Sequence, residues 1–217
     1  MASSINASTT AGVVTTADTS GLLALQTAGT TAISIDASQA VTMAGRTSNP
    51  TTISVGGATP STSGAGITFP TTQSASSDAK TLDDYEEGSH TTTANANTTL
   101  DTSYRAFKYT KVGNVVNVVG LLQITGSTGS TTLTFTLPFT AAADQTNGQN
   151  RSAGGCLPAS ATTGTGGMVP FVQNNTAVMN LYKITLGTAT NSSYAAATNA
   201  DVINGSSINF NITYLTT

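Results

Sequence analysis

A chain of 217 residues with a formal net charge of -3, from 10 acids against 7 bases, has no basic footprint dense enough to neutralise several phosphates. Its charged content of 8% excludes the self-repelling kind of disorder, and its abundant Thr, Ser, Asn and Gly suit strands and turns. Cys156 stands alone and closes no intrachain disulfide, and residues 1–31 hold neither a basic n-region nor a continuous apolar run, so neither a secretory signal nor a transmembrane span is read there.

In chain order, residues 1–45 alternate short β-like pieces with Gly, Asp and Ser punctuation. The pieces at 13–16, 22–26, 31–35 and 40–43 have the length of short strands bounded by turns. Their apolar positions are β-branched and lack a helical period, which argues against a helix. Within 46–80, Pro50, Pro60 and Pro70 stand ten residues apart, with extended pieces at 53–55 and 67–69. This stretch reads as an extended connector, with a weak ten-residue repeat as the alternative. Large apolar residues are sparser before residue 104 than after it, so the N-terminal half is expected to complete its core by winding with copies of itself.

Residues 81–217 give cleaner period-2 signals. The run 112–124 is apolar on both faces, with Val116, Val118, Leu122 and Ile124 on one and Val115, Val119 and Leu121 on the other. Val115, Val116, Val118, Val119, Leu121 and Leu122 are therefore the expected core or subunit-interface strand, central in a sheet or between subunits. Gly120 within it predicts a bend or bulge. Leu133, Phe135 and Leu137 alternate with Thr, as Ile208, Phe210, Ile212 and Tyr214 do with Asn and Thr. A further strand is expected at 177–186, with Val178, Tyr182, Ile184 and Leu186 sharing a face. Asn204-Gly205 signals a two-residue hairpin before the last strand, and Asn147-Gly148 a turn within the loop 141–155. The total is about six or seven antiparallel strands, an all-β fold of sandwich or jelly-roll type.

Catalytic chemistry has little to stand on. There is no Gly-x-Ser-x-Gly, no pair of His ligands and no phosphate-cradling loop. The single histidine, His90, sits beside Ser89 in an extended tract where neighbours point to opposite faces. No catalytic or cofactor-binding residue is therefore named. Asp83, Asp84, Glu86 and Glu87 form the one charge cluster. It reads as a weak calcium-type metal candidate, as a solvated acidic turn, or as the partner of Arg105, Lys108 or Lys111 across a subunit interface. Tyr104, Phe107 and Tyr109 suit either a sugar-stacking platform or core packing. Tyr104, Tyr109 and Tyr194 are the candidate ligand-binding aromatics, and the loops 141–155, 158–168 and 188–200 the segments expected to carry recognition. Cys156 reads as a small, partly buried residue in a Gly-Gly-Cys-Leu-Pro loop. The Asn-x-Ser/Thr triplets read as by-products of composition.

Residues 82–88, LDDYEEG, are followed by an aromatic-Lys-Tyr-Thr-Lys-Val-Gly segment at 107–113, a Val-rich strand, and Leu137-Pro138-Phe139. This order resembles a C-terminal domain recurring in tail-fibre and head-fibre proteins of tailed bacteriophages. Residues 20–42, SGLLALQTAGTTAISIDASQAVT, are similar to N-proximal segments of phage tail and virion fibre proteins. One departure stands out: where the family continues Gly-Thr-Trp-Thr-Pro, this chain has Gly88-Ser89-His90-Thr91-Thr92 and no Trp anywhere. The resemblance implies a non-enzymatic virion protein without cofactor, a homotrimeric fibre or spike. Residues 1–45 would attach to tail, portal or capsid proteins, 46–80 would form the stalk, and 81–217 a distal knob meeting a host-surface glycan. Such a protein is made in the host cytoplasm and exposed on the particle, with neither nucleic acid nor membrane insertion expected. The alternatives are a capsid decoration or cement protein and, disfavoured by the missing signal, a bacterial surface adhesin module.

Overall fold

A computed structural model describes residues 22–44, 52–73, 76–78, 80–143, 151–161, 167–185 and 193–216. Their regular structure is strand apart from one 3-10 turn at Asn199–Asp201, so the protein is all-β, in several antiparallel sheets. The strand expected at 13–16, the Asn147-Gly148 turn, Pro50 and Leu186 lie outside the described residues. No helix among the described residues is long and apolar enough to cross a membrane.

The chain divides into two compact units, one running to Ile53 and including Pro60–Ile67, the other comprising Ser54–Thr59 and Thr68–Thr217. The second unit therefore takes in part of the expected connector. Within it the Phe69 ring lies 6.5 Å from that of Tyr85, and Lys111 Nζ donates to Gln73 Oε1 at 3.1 Å.

In the first unit, β1 (Leu23–Thr27), β2 (Thr30–Ile35) and β3 (Val41–Met43) form an antiparallel meander. Ala28 and Gly29, at φ of 49° and 75°, make the two-residue turn whose twist matches a hairpin. Asp36 Oδ1 accepts from the amides of Ser38 and Ala40 and so closes the next turn. Among the described residues no second layer covers this sheet: Leu23, Leu25, Val41 and Met43 are all about half exposed. β4 (Thr52–Ser54) and β5 (Gly66–Thr68) pair as a two-stranded sheet.

The remaining strands build the second unit. They are β6 (Tyr85–Thr91), β7 (Thr98–Leu100), β8 (Ala106–Val112), β9 (Val115–Ser127), β10 (Thr134–Thr136), β11 (Ser152–Ala153), β12 (Gly155–Ala161), β13 (Met168–Val172), β14 (Val178–Thr185), β15 (Ser193–Ala196) and β16 (Val202–Leu215). A six-stranded sheet runs β12-β16-β9-β8-β6 with β7 on β9, and a five-stranded sheet runs β10-β14-β13-β11 with β15 on β14. One hydrophobic core draws on both: Phe107, Val116, Val118, Leu122, Ile208, Phe210 and Ile212 from the first, Phe135, Val172, Met179 and Leu181 from the second. The alternations at 133–137 and 208–214 behave as expected, with all their apolar members buried.

β9 is central in its sheet, but only one of its faces is core. Val116, Val118 and Leu122 are fully buried, whereas Val115 and Val119 are 40% and 43% exposed and Leu121 is half-buried. The pleat sends alternate residues to opposite faces, and among the described residues one face of this sheet has no covering layer. Gly120 is not a bulge, since its pairing with Phe210 continues the register without a break. A Cβ there would run into the Phe107 ring and come within 3.1 Å of Phe210, so glycine makes room for two aromatic rings packed edge to face at 4.7 Å.

Asn204-Gly205 departs from expectation as well. β16 runs straight through it, and the pairing with β12 jumps from Ala159↔Ser207 to Ala161↔Val202. Gly205 has φ 89°, while Asn204 does not adopt the positive φ that a type I′ turn requires of both central residues. The pair sits instead in a bulge, where Ser206 Oγ accepts from the Ile203 amide at 2.9 Å. In β14 the buried side is Met179 and Leu181, so Val178, Tyr182 and Ile184 do share a face, the outer one.

Candidate functional site

The acidic cluster, two residues before β6 and two within it, is taken apart by separate partners. Asp84 is buried and paired with Lys111 of β8, with no second copy of the chain required. Asp83 Oδ2 accepts from the Ser76 amide at 2.8 Å, Glu86 Oε1 from the Tyr109 hydroxyl, and Glu87 Oε2 from the Tyr85 hydroxyl at 3.2 Å. Alternation along β6 sends Glu86 and Glu87 to opposite faces. Among the described residues no three His, Cys, Asp or Glu side chains come together to hold a metal ion. Each carboxylate acts instead on one donor: the Glu86 hydrogen bond, helped by burial and by the Glu86 charge, pushes the Tyr109 hydroxyl up to about 12.

His90 is also absorbed into the framework. Its Nε2 lies 3.1 Å from Thr136 Oγ1, and its ring is 6.4 Å from that of Phe107. Burial holds its pKa below the ordinary histidine value, against the opposing hydrogen bond to Thr136.

The candidate aromatics separate. Phe107 is fully buried, and Tyr109 stacks edge to face on Phe139 at 5.2 Å and packs against the core. Tyr104 stands 46% exposed in the turn before β8, held by its amide's bond to the Asp101 carbonyl. No platform forms from these three. Cys156 lies in β12 rather than in a loop, and its thiol donates to the Met168 carbonyl at 2.8 Å. Burial pushes that thiol up to about 11, which keeps it protonated and unreactive.

Tyr194 is different. It is 78% exposed on β15, and it closes one side of a cleft of about 590 Å³ on the outer face of the five-stranded sheet. Registers Tyr182↔Ala196 and Ile184↔Tyr194 set β15 beside β14, and Val169↔Tyr182 sets β13 on the other side. Phe171, Tyr182 and Tyr194 follow one another across these strands, with centroid separations of 5.2 and 5.9 Å and planes inclined at 71° and 57°. Arg151 and Gln173 complete the polar rim with Ser193. Sequence reasoning reached Tyr194 but missed Phe171, Tyr182, Arg151 and Gln173. The available signal was the parity of β13 and the residue after it, in which Val169, Phe171 and then Gln173 alternate with the buried Met168, Pro170 and Val172.

The outer face of the six-stranded sheet is unlike this cleft. Val115, Val119 and Leu157 are exposed there among Asn and Thr side chains. Comparison of the chain with protein-family models, with curated proteins and with solved structures finds no match to any of them.

Proposed function

We propose that this chain is a structural, non-catalytic virion protein of a tailed bacteriophage: a homotrimeric fibre or spike whose N-terminal half attaches to the particle and whose C-terminal unit, a β-sandwich, faces the host surface. The trimer and the particle come from the resemblance of residues 20–42 and 82–139 to phage fibre proteins. One structural observation supports them: the single chain leaves aliphatic side chains open to water. Leu23, Leu25, Val41 and Met43 are about half exposed on the N-terminal meander, and Val115, Val119 and Leu157 are exposed on the six-stranded sheet. Such surfaces are costly in a monomer and are relieved by copies of the same chain.

Two measurements test the reading. Light scattering of the full chain at micromolar concentration is expected to give three copies, and a monomer sinks the trimer. Immunogold electron microscopy of purified particles is expected to label a fibre. Label spread over the shell makes the protein a decoration protein, and unlabelled particles remove the virion assignment altogether.

A further inference from the structure

The geometry points to the cleft between β13, β14 and β15 as a saccharide-binding site, selective for a sugar bearing a carboxylate. This rests on the host-attachment reading and gives it a location and a ligand class. The argument begins with the contrast between the two outer sheet faces. Around Val115 and Val119 the face carries aliphatic, Asn and Thr side chains, with Lys108 across from Val119, but no group of packed aromatic rings. The cleft joins such rings to polar groups. Its volume of about 590 Å³ lies within the range of ~300–1,000 Å³ usual for small-ligand sites, enough for a short oligosaccharide.

Three rings meet there at steep mutual angles, so they form an angled cradle rather than a flat plate. An aromatic face is electron-rich, and a pyranose presents an apolar face of polarised C–H groups that packs on it. Tyrosine adds large, rigid contact area at little cost in conformational entropy. Tyr194, at 78% exposure, has its ring open for such stacking.

Hydroxyl groups around the edge of a sugar need polar partners, and the cleft supplies them. The Gln173 amide, the Ser193 hydroxyl and the Arg151 guanidinium line the same space, and no carboxylate of the described residues does. Neither ion pair among the described residues involves Arg151. Its planar fork of donors matches a carboxylate in bidentate fashion. A cation beside packed rings, with no acid among the described residues paired to it, selects an anionic sugar over a neutral one.

Calorimetric titration of the full chain tests this with three probes: a hyaluronan tetrasaccharide and sialyllactose, which carry carboxylates, and neutral maltotetraose. At least one carboxylated probe is expected to bind more tightly than maltotetraose. Tyr194→Ala should weaken that binding at least tenfold, and Arg151→Gln should abolish the preference for charge while leaving residual affinity for the sugar ring. Both residues are exposed, so melting temperatures should stay close to that of the parent and show that folding is intact. The assignment is overturned if no probe binds up to ~10 mM, weaker than any useful affinity, or if Tyr194→Ala binds as the parent does. It is equally overturned if Tyr194→Ala changes the number of copies in the assembly, which would make the cleft a contact between chains. If Arg151→Gln keeps the preference, selectivity for the carboxylate is lost. Labelled particles without saccharide binding remove the cleft alone; saccharide binding without labelled particles removes the virion reading alone.

Discussion

The meander β1–β3 and the two larger sheets of the C-terminal unit use the same Thr-, Ser- and Gly-rich alphabet and the same antiparallel pleat, yet only the second has an interior. In β1–β3 no described side chain is buried. In the C-terminal unit the inner faces carry Leu, Ile, Val and Phe at nearly every alternate position, and a second sheet contributes to the same core. The pleat sorts residues by face in both cases; a core also needs another layer to receive the sorted face. Among the described residues the meander has no such layer.

The sharpest way to break this contrast is to put a charge on each face of the same strand. Val116→Asp buries an unpaired carboxylate at a fully buried position and should cost about 4 kcal/mol or more, enough to abolish cooperative melting by circular dichroism. Val119→Asp, on the outer face, should melt like the parent but lower the copy number seen by light scattering. If Val116→Asp folds normally, the core has been misplaced.

Next in size is the buried pair of Asp84 and Lys111. Asp84→Ala leaves the ammonium group stranded and should cost about 3 kcal/mol in urea unfolding, whereas Asp84→Leu with Lys111→Met should recover most of that loss. Gly120→Ala drives a methyl into Phe107 and should cost about 2 kcal/mol, with no comparable effect expected from Gly57→Ala beyond its own backbone strain, because open space surrounds that site. In the first unit, Leu25→Asn combined with Met43→Asn should leave C-terminal melting unchanged, with a stability effect of about 0.5 kcal/mol or less, and weaken assembly.

The smallest effect is electrostatic. Because burial lowers the folded pKa of His90 below the unfolded value of 6.5, the unfolded chain binds the extra proton first. The contribution of His90 is therefore fully present above pH 6.5 and declines as pH falls through that value, and His90→Gln should flatten this part of the stability profile. Asp201 acts in a separate, more acidic window. Burial alone would raise its pKa, but hydrogen bonds from Lys183 and Thr198 outweigh burial and lower it, so its contribution is present above the unfolded value of 3.8 and disappears as pH falls through the folded one.

Much of the C-terminal core was legible because strict alternation at 133–137 and 208–214 allows one half-buried arrangement. Local signals failed where tertiary context decides the outcome. Asn204-Gly205 has the residues of a tight hairpin, but β9 pairs with β16 from Ser207 to Leu215 and β12 pairs on its other side, so the chain continues as one strand with a bulge. Gly120 read as a backbone feature and is a steric one, set by rings 13 residues before it and 90 after it in the sequence. The candidate cleft was legible only at Tyr194. Phe171 and Tyr182 look like core residues in a linear text, and it takes the register of β13 against β14 to bring them together on the outer face. The acidic cluster shows the converse, since groups adjacent in sequence are dispersed by the pleat onto separate donors.

The Cys156 thiol has a practical consequence. In the folded chain it is held protonated against the Met168 carbonyl at the meeting of β12 and β13, so a thiol-specific dye should find it silent. Unfolding returns it to an ordinary thiol open to solvent, and with enough dye for labelling to outpace reclosing, labelling proceeds at the rate at which the C-terminal unit opens. With no other cysteine to compete, the chain carries its own stopwatch for kinetic stability, readable without any substitution.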